Sequence, residues 1–403
     1  MLYGEEILDF PIPRECPLHP PVAYTGFREK DAPSQVRMWN GKTAWIFTRY
    51  DDVKFILMDS RFSIVPTREN FPNVSSARAA IRAKDTTFIS MDAPGHTHYR
   101  KMLAKEFTVK RMEAWRPRVR EITHRLIDDM IAKGTSADLV HDFCLPLPSL
   151  IISELLGVPY ESHEFFQEQS KYRVRMDISP DVALAASRRM LDFLESVTNE
   201  KEAQTEPGDD IIGRLISEQL RTGALTKQEL VAMADLMIVA GHETTANMIA
   251  LGTLSLMMHP DQLAIIREDR SRIGPAIEEM LRYHTIAHFN GSRVALEDVE
   301  IRGHLIRKGD GILAMANAAN RDPSKFGCPN DFDITRDSSA HIAFSFGVHQ
   351  CIGQNLARIE MQEALLALFE RLPDIRLVGD VDALPFKSTV FVYGLHKLPV
   401  EWS

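Results

Sequence analysis

The longest helical period in the chain opens at Thr226-Lys227-Gln228-Glu229, a threonine three residues before a glutamate, so that each side chain can satisfy a free N–H of a helix start. The period runs to His259-Pro260, roughly 50 Å at 1.5 Å per residue. From Leu236 to Leu256 it is apolar except in its middle, where Ala240-Gly241-His242-Glu243-Thr244-Thr245 inserts a glycine, an acid and two hydroxyls. Glycine costs a helix interior about 1 kcal/mol relative to alanine, and a buried carboxylate needs a partner. The segment therefore predicts either a kink that exposes Glu243 or a local opening put to chemical use.

Elsewhere the period shifts. Residues 10–33, rich in proline and polar side chains, read as an extended lead-in. Val36 to Trp39, then Asn40-Gly41, then Thr43 to Thr48 predicts a hairpin, with Asn-Gly supplying two positive-φ turn positions. Asp51 starts a helix through Met58, and residues 66–90 predict a long loop with one helix. Met91-Asp92-Ala93-Pro94-Gly95-His96 opens another helix, Pro94 lying in its first turn. From residue 115 to 221, several helices are punctuated by Gly134-Thr135, Pro146, Pro148, Gly157-Val158-Pro159 and Pro207-Gly208-Asp209. A helix follows from Pro275 to Tyr283, then a strand at Thr285-Ile286-Ala287-His288-Phe289, then short hairpins over 296–315. Gly353 to Leu372 is amphipathic and ends at Pro373, and Phe386 to Gly394 reads as a hairpin with its tip near Val390.

Composition narrows the class. At 403 residues with 44% hydrophobic content, the chain has ample material for a large core. A net charge of −9 argues against nucleic acid as the main partner. The four cysteines (Cys16, Cys144, Cys328, Cys351) form no close pair, which disfavours structural zinc and a disulfide framework and fits a reducing compartment. Residues 1–13 lack a basic segment followed by an apolar core, so no signal peptide is visible. No stretch reaches the ~18–20 apolar residues of a membrane helix.

The chemistry gathers at Phe344-Ser345-Phe346-Gly347-Val348-His349-Gln350-Cys351-Ile352-Gly353. A metal-ligating thiolate needs backbone N–H donors near its sulfur, and glycines let the backbone approach. A helix beginning near Gly353 would aim its positive end at Cys351. Phe, two Gly and Cys in this register should arise by chance in about one chain in a thousand of this length.

This stretch resembles the haem-binding loop of the cytochrome P-450 superfamily, Phe-x-x-Gly-x-basic-x-Cys-x-Gly, with Ser345 where many members carry glycine. Other motifs of that family follow in order: Asp-x-Pro-x-His-x-x-x-Arg at 92–100 (Gly95 replacing a common glutamate), Ala-Gly-x-Glu-Thr at 240–244 and Glu-x-x-Arg at 279–282. The resemblance covers the chain from about residue 36. It implies a mostly α-helical fold spanning 1–403 as one domain, with a β-rich part about 34–66, a helical body about 94–373 and a C-terminal hairpin about 384–402. It implies heme b (iron protoporphyrin IX), with Cys351 as proximal ligand. His96, Arg100, Arg293 and His349 would serve the propionates, and Phe344, Gly347, Gly353, Ala240 and Gly241 would lie against the haem. Thr244 would donate to O2, and Glu243 would relay protons from water. Phe88, Ile89, Val239, Ile286, Ala287, Phe289, Val390 and Phe391 would line an apolar substrate cavity, with His288 also near it and residues 160–199 as a mobile cover. Glu279, Arg282 and Arg321 would form a buried network that holds the cysteine loop.

The activity so implied is monooxygenation of an apolar small molecule with O2. Electrons would come from a separate ferredoxin and ferredoxin reductase, docked near the basic patch Lys101, Lys105, Lys110 and Arg111. Lack of a membrane anchor points to the soluble bacterial kind of this family and a cytoplasmic place. Three rivals stand beside it: an NADH-dependent nitric-oxide reductase, a peroxide-driven hydroxylase and a non-catalytic haem carrier. Glu243-Thr244 argues against all three, because none of them needs an acid and an alcohol to deliver protons.

Overall fold

The computed structural model describes residues 7–84, 87–287, 289 and 291–403. His288, expected near the cavity, lies outside the described residues. At the centre runs the long helix, in two pieces, Lys227–Gly241 and Glu243–Met258, meeting at His242. Its start carries the predicted box: Thr226 Oγ1 accepts from the Glu229 N–H, and the Glu229 carboxylate accepts from the Thr226 N–H. Every residue from Thr245 to Leu256 is buried. Helices Pro146–Leu156, Ile273–His284 and Gln354–Arg371 pack around it, and Val109–Lys133 lies along Gln354–Arg371 and against Pro146–Leu156. Leu254, Ile122, Leu126, Leu365 and Leu368 from these helices join one core; each such side chain contributes roughly 1.5–3 kcal/mol on burial.

A six-stranded mixed sheet flanks the helices, in the order Leu8–Asp9, Ser34–Arg37, Thr43–Phe47, Gly311–Ala314, Ser292–Ala295, Phe62–Ser63. Thr43–Phe47 runs parallel to Gly311–Ala314 and antiparallel to Ser34–Arg37, with Val36 opposite Ala44. Under the sheet, Phe47, Val53, Ile56, Leu57, Ile312, Phe326 and Ile342 form a second core, and Phe346 of the cysteine loop packs on it. The β-rich part thus fixes one wall of that loop.

Several expectations change. The lead-in contains a helix, Ala23–Glu29. At the first hairpin only Gly41 has positive φ (79°), because Met38 pairs with Lys42 (Met38 N–H to Lys42 O, 2.8 Å) and the turn is longer than Asn-Gly alone. After His284 no strand forms at once: Thr285 caps the helix at φ 39°, its hydroxyl bonded to Leu281 and Arg282 carbonyls, and the strand starts at Ser292. No single described helix is long and apolar enough to cross a membrane.

Candidate functional site

The cysteine loop is shaped by its backbone. Ser345 (φ 64°) and Gly347 (φ 72°) are both left-handed, and a Cβ on Gly347 would lie 2.8 Å from the Leu57 carbonyl oxygen. Gln350 N–H donates to Gly347 O (3.1 Å) and Cys351 N–H to Phe344 O (2.9 Å), which turns the thiol outward. The Arg358 guanidinium stacks over Phe344 at 4.7 Å. Gly353 precedes helix Gln354–Arg371, which has no side-chain cap, so the first N–H groups stay open towards the cysteine. Although the residue is exposed, the protein packed around its sulfur pushes the Cys351 thiol up, while the Gly353 N–H and the charges of Arg100 and Arg358 pull it down. The close-approach argument holds for Gly347 alone, since a Cβ on Gly353 would meet no protein atom within 4 Å.

Beside this loop the structure gathers two arginines and two imidazoles from three places in the chain. Arg100 Nη2 donates to the Gln350 carbonyl (2.5 Å), while the His96 and His349 rings lie 4.1 Å apart. Arg293 is 2% exposed and donates to Ser292 O. Burial, then Arg293, His96 and Arg100, hold the His349 imidazole down to about 3, and burial lowers Arg293 to about 10. The carboxylate acting on His96 and Arg293 is Asp92, which already accepts from Ser63 Oγ (2.5 Å) and Ile64 N–H (3.1 Å). His96 is 2% exposed, yet neither ring nitrogen has a hydrogen-bond partner among the described residues. A buried imidazole without partners is rare, and crowded like charges destabilise one another. Both features would suit an anionic group, such as the propionates of a haem.

Above the loop, the long helix breaks at His242 (φ −98°, ψ −52°), whose Nδ1 lies 2.6 Å from the Ile238 carbonyl. Thr244 Oγ1 donates to Ala240 O (2.6 Å), a back-bond that favours bending. Ala240 is exposed, and Gly241 and Thr244 are half-buried, so this turn faces open space. Gly241 has a second use: a Cβ there would come within 3.0 Å of Ile152, so its absence lets helix Pro146–Leu156 approach.

The family model for cytochrome P-450 matches residues 25–373. This chain belongs to the cytochrome P-450 family. It is 42% identical over 394 residues to the vitamin D3 dihydroxylase of Streptomyces griseolus, covering 98% of this chain and 96% of that protein. It is likewise 42% identical over 395 residues to pentalenic acid synthase of Streptomyces avermitilis, covering 98% and 97%. The crystal structure of mycinamicin VIII C21 methyl hydroxylase from Micromonospora griseorubida, bound to mycinamicin VIII, superposes with a TM-score of 0.94 at 36% identity, covering 98% of this chain and 100% of that one. The protein is therefore an oxidoreductase of the P-450 monooxygenase class, mostly helical, whose family cofactor is haem b.

The residues expected to line an apolar cavity divide. Phe88, Ile286, Phe289, Val390 and Phe391 are buried, with Phe289 and Phe391 ring centroids 6.0 Å apart. Val239 and Ala287 are half-buried, and Ile89 is 44% exposed. Phe391 carries the Arg78 guanidinium at 4.4 Å, a contact no sequence pattern announced. Of the two alternatives for Glu243 the structure gives the buried one: it is 8% exposed, and its Oε1 accepts from Lys387 Nζ at 2.7 Å. Burial favours the neutral acid, but the lysine wins and keeps the carboxyl below its usual range. Lys387 sits in an apolar hairpin with nothing in its sequence context to mark it.

Glu279 and Arg282 form the buried pair, both 0% exposed, with two bonds of 2.7 Å. Arg321 joins indirectly: it stacks on Tyr283 at 3.7 Å and donates to Tyr283 O, while Arg282 reaches Asn320 O.

Proposed function

We propose that this P-450 inserts one oxygen atom of O2 into an apolar small molecule, with electrons from a separate ferredoxin and its reductase. The observation that carries the reading is the open Cys351 loop beside a cationic cluster that contains a buried, unpartnered His96. Cys351 is the ligand, and His96, Arg100, Arg293 and His349 take the propionates. Bound haem supplies reductive O2 chemistry, which an electron-rich thiolate favours. The remaining work falls to side chains. Gly353 N–H and the uncapped helix start stabilise the sulfur's charge. Thr244 presents a hydroxyl to the open turn, and Glu243, one residue before, relays protons to it from water. Phe88, Ile286, Phe289, Val390 and Phe391 exclude water and orient an apolar guest; relatives named for vitamin D3, pentalenic acid and mycinamicin VIII fit a small organic guest. Lys101, Lys110 and Arg111, exposed beside the cysteine loop, offer a face to an acidic ferredoxin.

The test is the absorption spectrum of purified protein, reduced with dithionite under carbon monoxide, then oxidised and titrated with terpenoids, steroids and macrolides. A strongly red-shifted Soret band and a low-to-high-spin shift with one of these classes are expected. A histidine-type band overturns the ligand assignment.

A further inference from the structure

We propose that Lys387 is a positioning residue that ties proton delivery by Glu243 to occupancy of the substrate chamber. The inference rests on the oxygen-inserting reading above and adds to it a coupling device in the C-terminal hairpin.

The hairpin closes where Phe386 pairs with Leu395 and Lys387 N–H donates to Gly394 O (2.8 Å). From that base Lys387 Nζ reaches Glu243 Oε1 (2.7 Å) and Asn247 Oδ1 (3.0 Å), both on the long helix just past its break. The pair is nearly enclosed, with side chains 11% and 10% exposed. Gly394 makes the approach possible, since a Cβ there would lie 2.1 Å from Asn247 Oδ1. Asn247 Nδ2 is buried with no partner among the described residues, so the network keeps one donor in reserve.

The same hairpin is also bonded to the segments on either side of the expected chamber. Its tip supplies Val390 and Phe391 to the cavity wall. Phe391 N–H donates to Val174 O (2.8 Å) and Met176 N–H to Thr389 O (2.9 Å), which bonds the tip to the end of helix His163–Val174. Tyr393 N–H donates to Ile286 O (3.0 Å), reaching the opposite wall.

Glu243 and Thr244 are consecutive, so their side chains leave the helix in different directions. Thr244 faces the open turn with Ala240, whereas Glu243 is held towards the hairpin. The charged groups around the carboxylate are Lys387, His242 and His396, and His396 in turn feels Lys171 and Arg175. In this arrangement the acid is locked. A guest pressing on Phe391 displaces the hairpin, lengthens the Lys387–Glu243 contact and frees the carboxylate to turn towards Thr244. An empty chamber keeps the lock shut and suppresses wasteful reduction of O2.

The experiment compares haem-loaded wild type, Lys387→Met, Lys387→Arg and Asn247→Leu, the last removing the lysine's second acceptor in case Lys387→Met fails to fold. Amide exchange by mass spectrometry is read over 172–178 and 386–395. NADPH consumption with spinach ferredoxin and its reductase is read without organic substrate. Lys387→Met should raise exchange at least fivefold in both segments and raise substrate-free NADPH consumption severalfold, with peroxide as product. Asn247→Leu should move both in the same direction, and Lys387→Arg should return both to within about twofold of wild type. Loosening confined to 386–395, or unchanged substrate-free consumption in Lys387→Met, overturns the proposal. A wild type without a thiolate spectrum would sink the oxygen-inserting reading instead, and the exchange measurement would still decide whether Lys387 links hairpin and lid.

Discussion

Two residues of the cysteine loop share a left-handed backbone but differ in what a side chain would cost. Ser345 (φ 64°) carries one and pays strain for it, roughly 1–2 kcal/mol on the usual scale. Ser345→Gly should therefore raise the urea midpoint of the holoprotein slightly, and a lower midpoint would show that the hydroxyl has a use. Gly347→Ala should do the reverse, because the new Cβ meets the Leu57 carbonyl oxygen at 2.8 Å as well as adopting positive φ; haem loss at lower urea is the readout. Glu360 offers a test of sign. It is 1% exposed, its Oε2 has no partner among the described residues, and burial alone pushes its acid well above the usual range. The folded chain thus keeps a proton that the unfolded chain releases above about pH 4.3, and stability falls by up to about 1.4 kcal/mol per pH unit above that point. Glu360→Gln should remove this slope, so its advantage over wild type should grow between about pH 5 and pH 8. The same stability difference between the two proteins at both pH values, read from urea midpoints, would mean the acid is solvated. At this scale spacing in the sequence picked out residues that the fold brings together, as where Arg100 of the 92–100 stretch reaches the Gln350 carbonyl beside Cys351 and the His96 ring lies against His349. It was silent where a contact depends on distant backbone: Lys387 against Glu243 spans 144 residues.

At the scale of elements, the helix Ile273–His284 ends in the buried pair that supports the loops around the site. Glu279 accepts from Arg282 twice, from the Asp333 N–H (3.0 Å) and from Ser338 Oγ (2.5 Å), so one carboxylate organises a turn as well as a charge. Removing it strands Arg282, which is 0% exposed. Breaking one partner of such a pair costs about 3–5 kcal/mol. Glu279→Ala should accordingly yield little haem-loaded protein, while an exposed-pair control, Glu370→Ala against Arg270, should shift stability by less than about 1 kcal/mol. Comparable losses in both would refute a special role for the buried pair. Helices with caps or breakers were readable, as at Thr226 and Pro373. The strand expected at Thr285 was not, because its hydroxyl turns back to cap the helix instead of pairing across a sheet. Gly241 shows the same limit: its position in the motif suggested room for O2, whereas its missing Cβ also makes room for Ile152.

At the scale of the whole molecule, the chain is acidic, with net charge −9, yet the surface next to the cysteine loop presents Lys101, Lys110 and Arg111 to solvent. Not all of that patch is available. Lys105 is paired with Glu218, and Arg111 also contacts Glu106 at 2.5 Å, so Lys101 and Lys110 carry most of the uncompensated charge. Val348, 58% exposed on the loop itself, adds an apolar point within the charged rim. An acidic partner steered to this face would meet repulsion from the rest of the protein, which sharpens its orientation instead of raising affinity everywhere. Charges more than a Debye length apart, about 8–10 Å at physiological salt, are screened. Reduction by a plant-type ferredoxin should therefore slow about tenfold or more from low salt to several hundred millimolar, a typical span for steered association. Lys101→Glu with Lys110→Glu should produce the slow rate already at low salt and flatten the salt dependence, while leaving dithionite reduction and the spin shift with substrate unchanged. A double variant that kept the wild-type salt slope would move the docking face elsewhere, and the first alternative to probe would be the exposed basic residues of the first hairpin, Arg37 and Lys42.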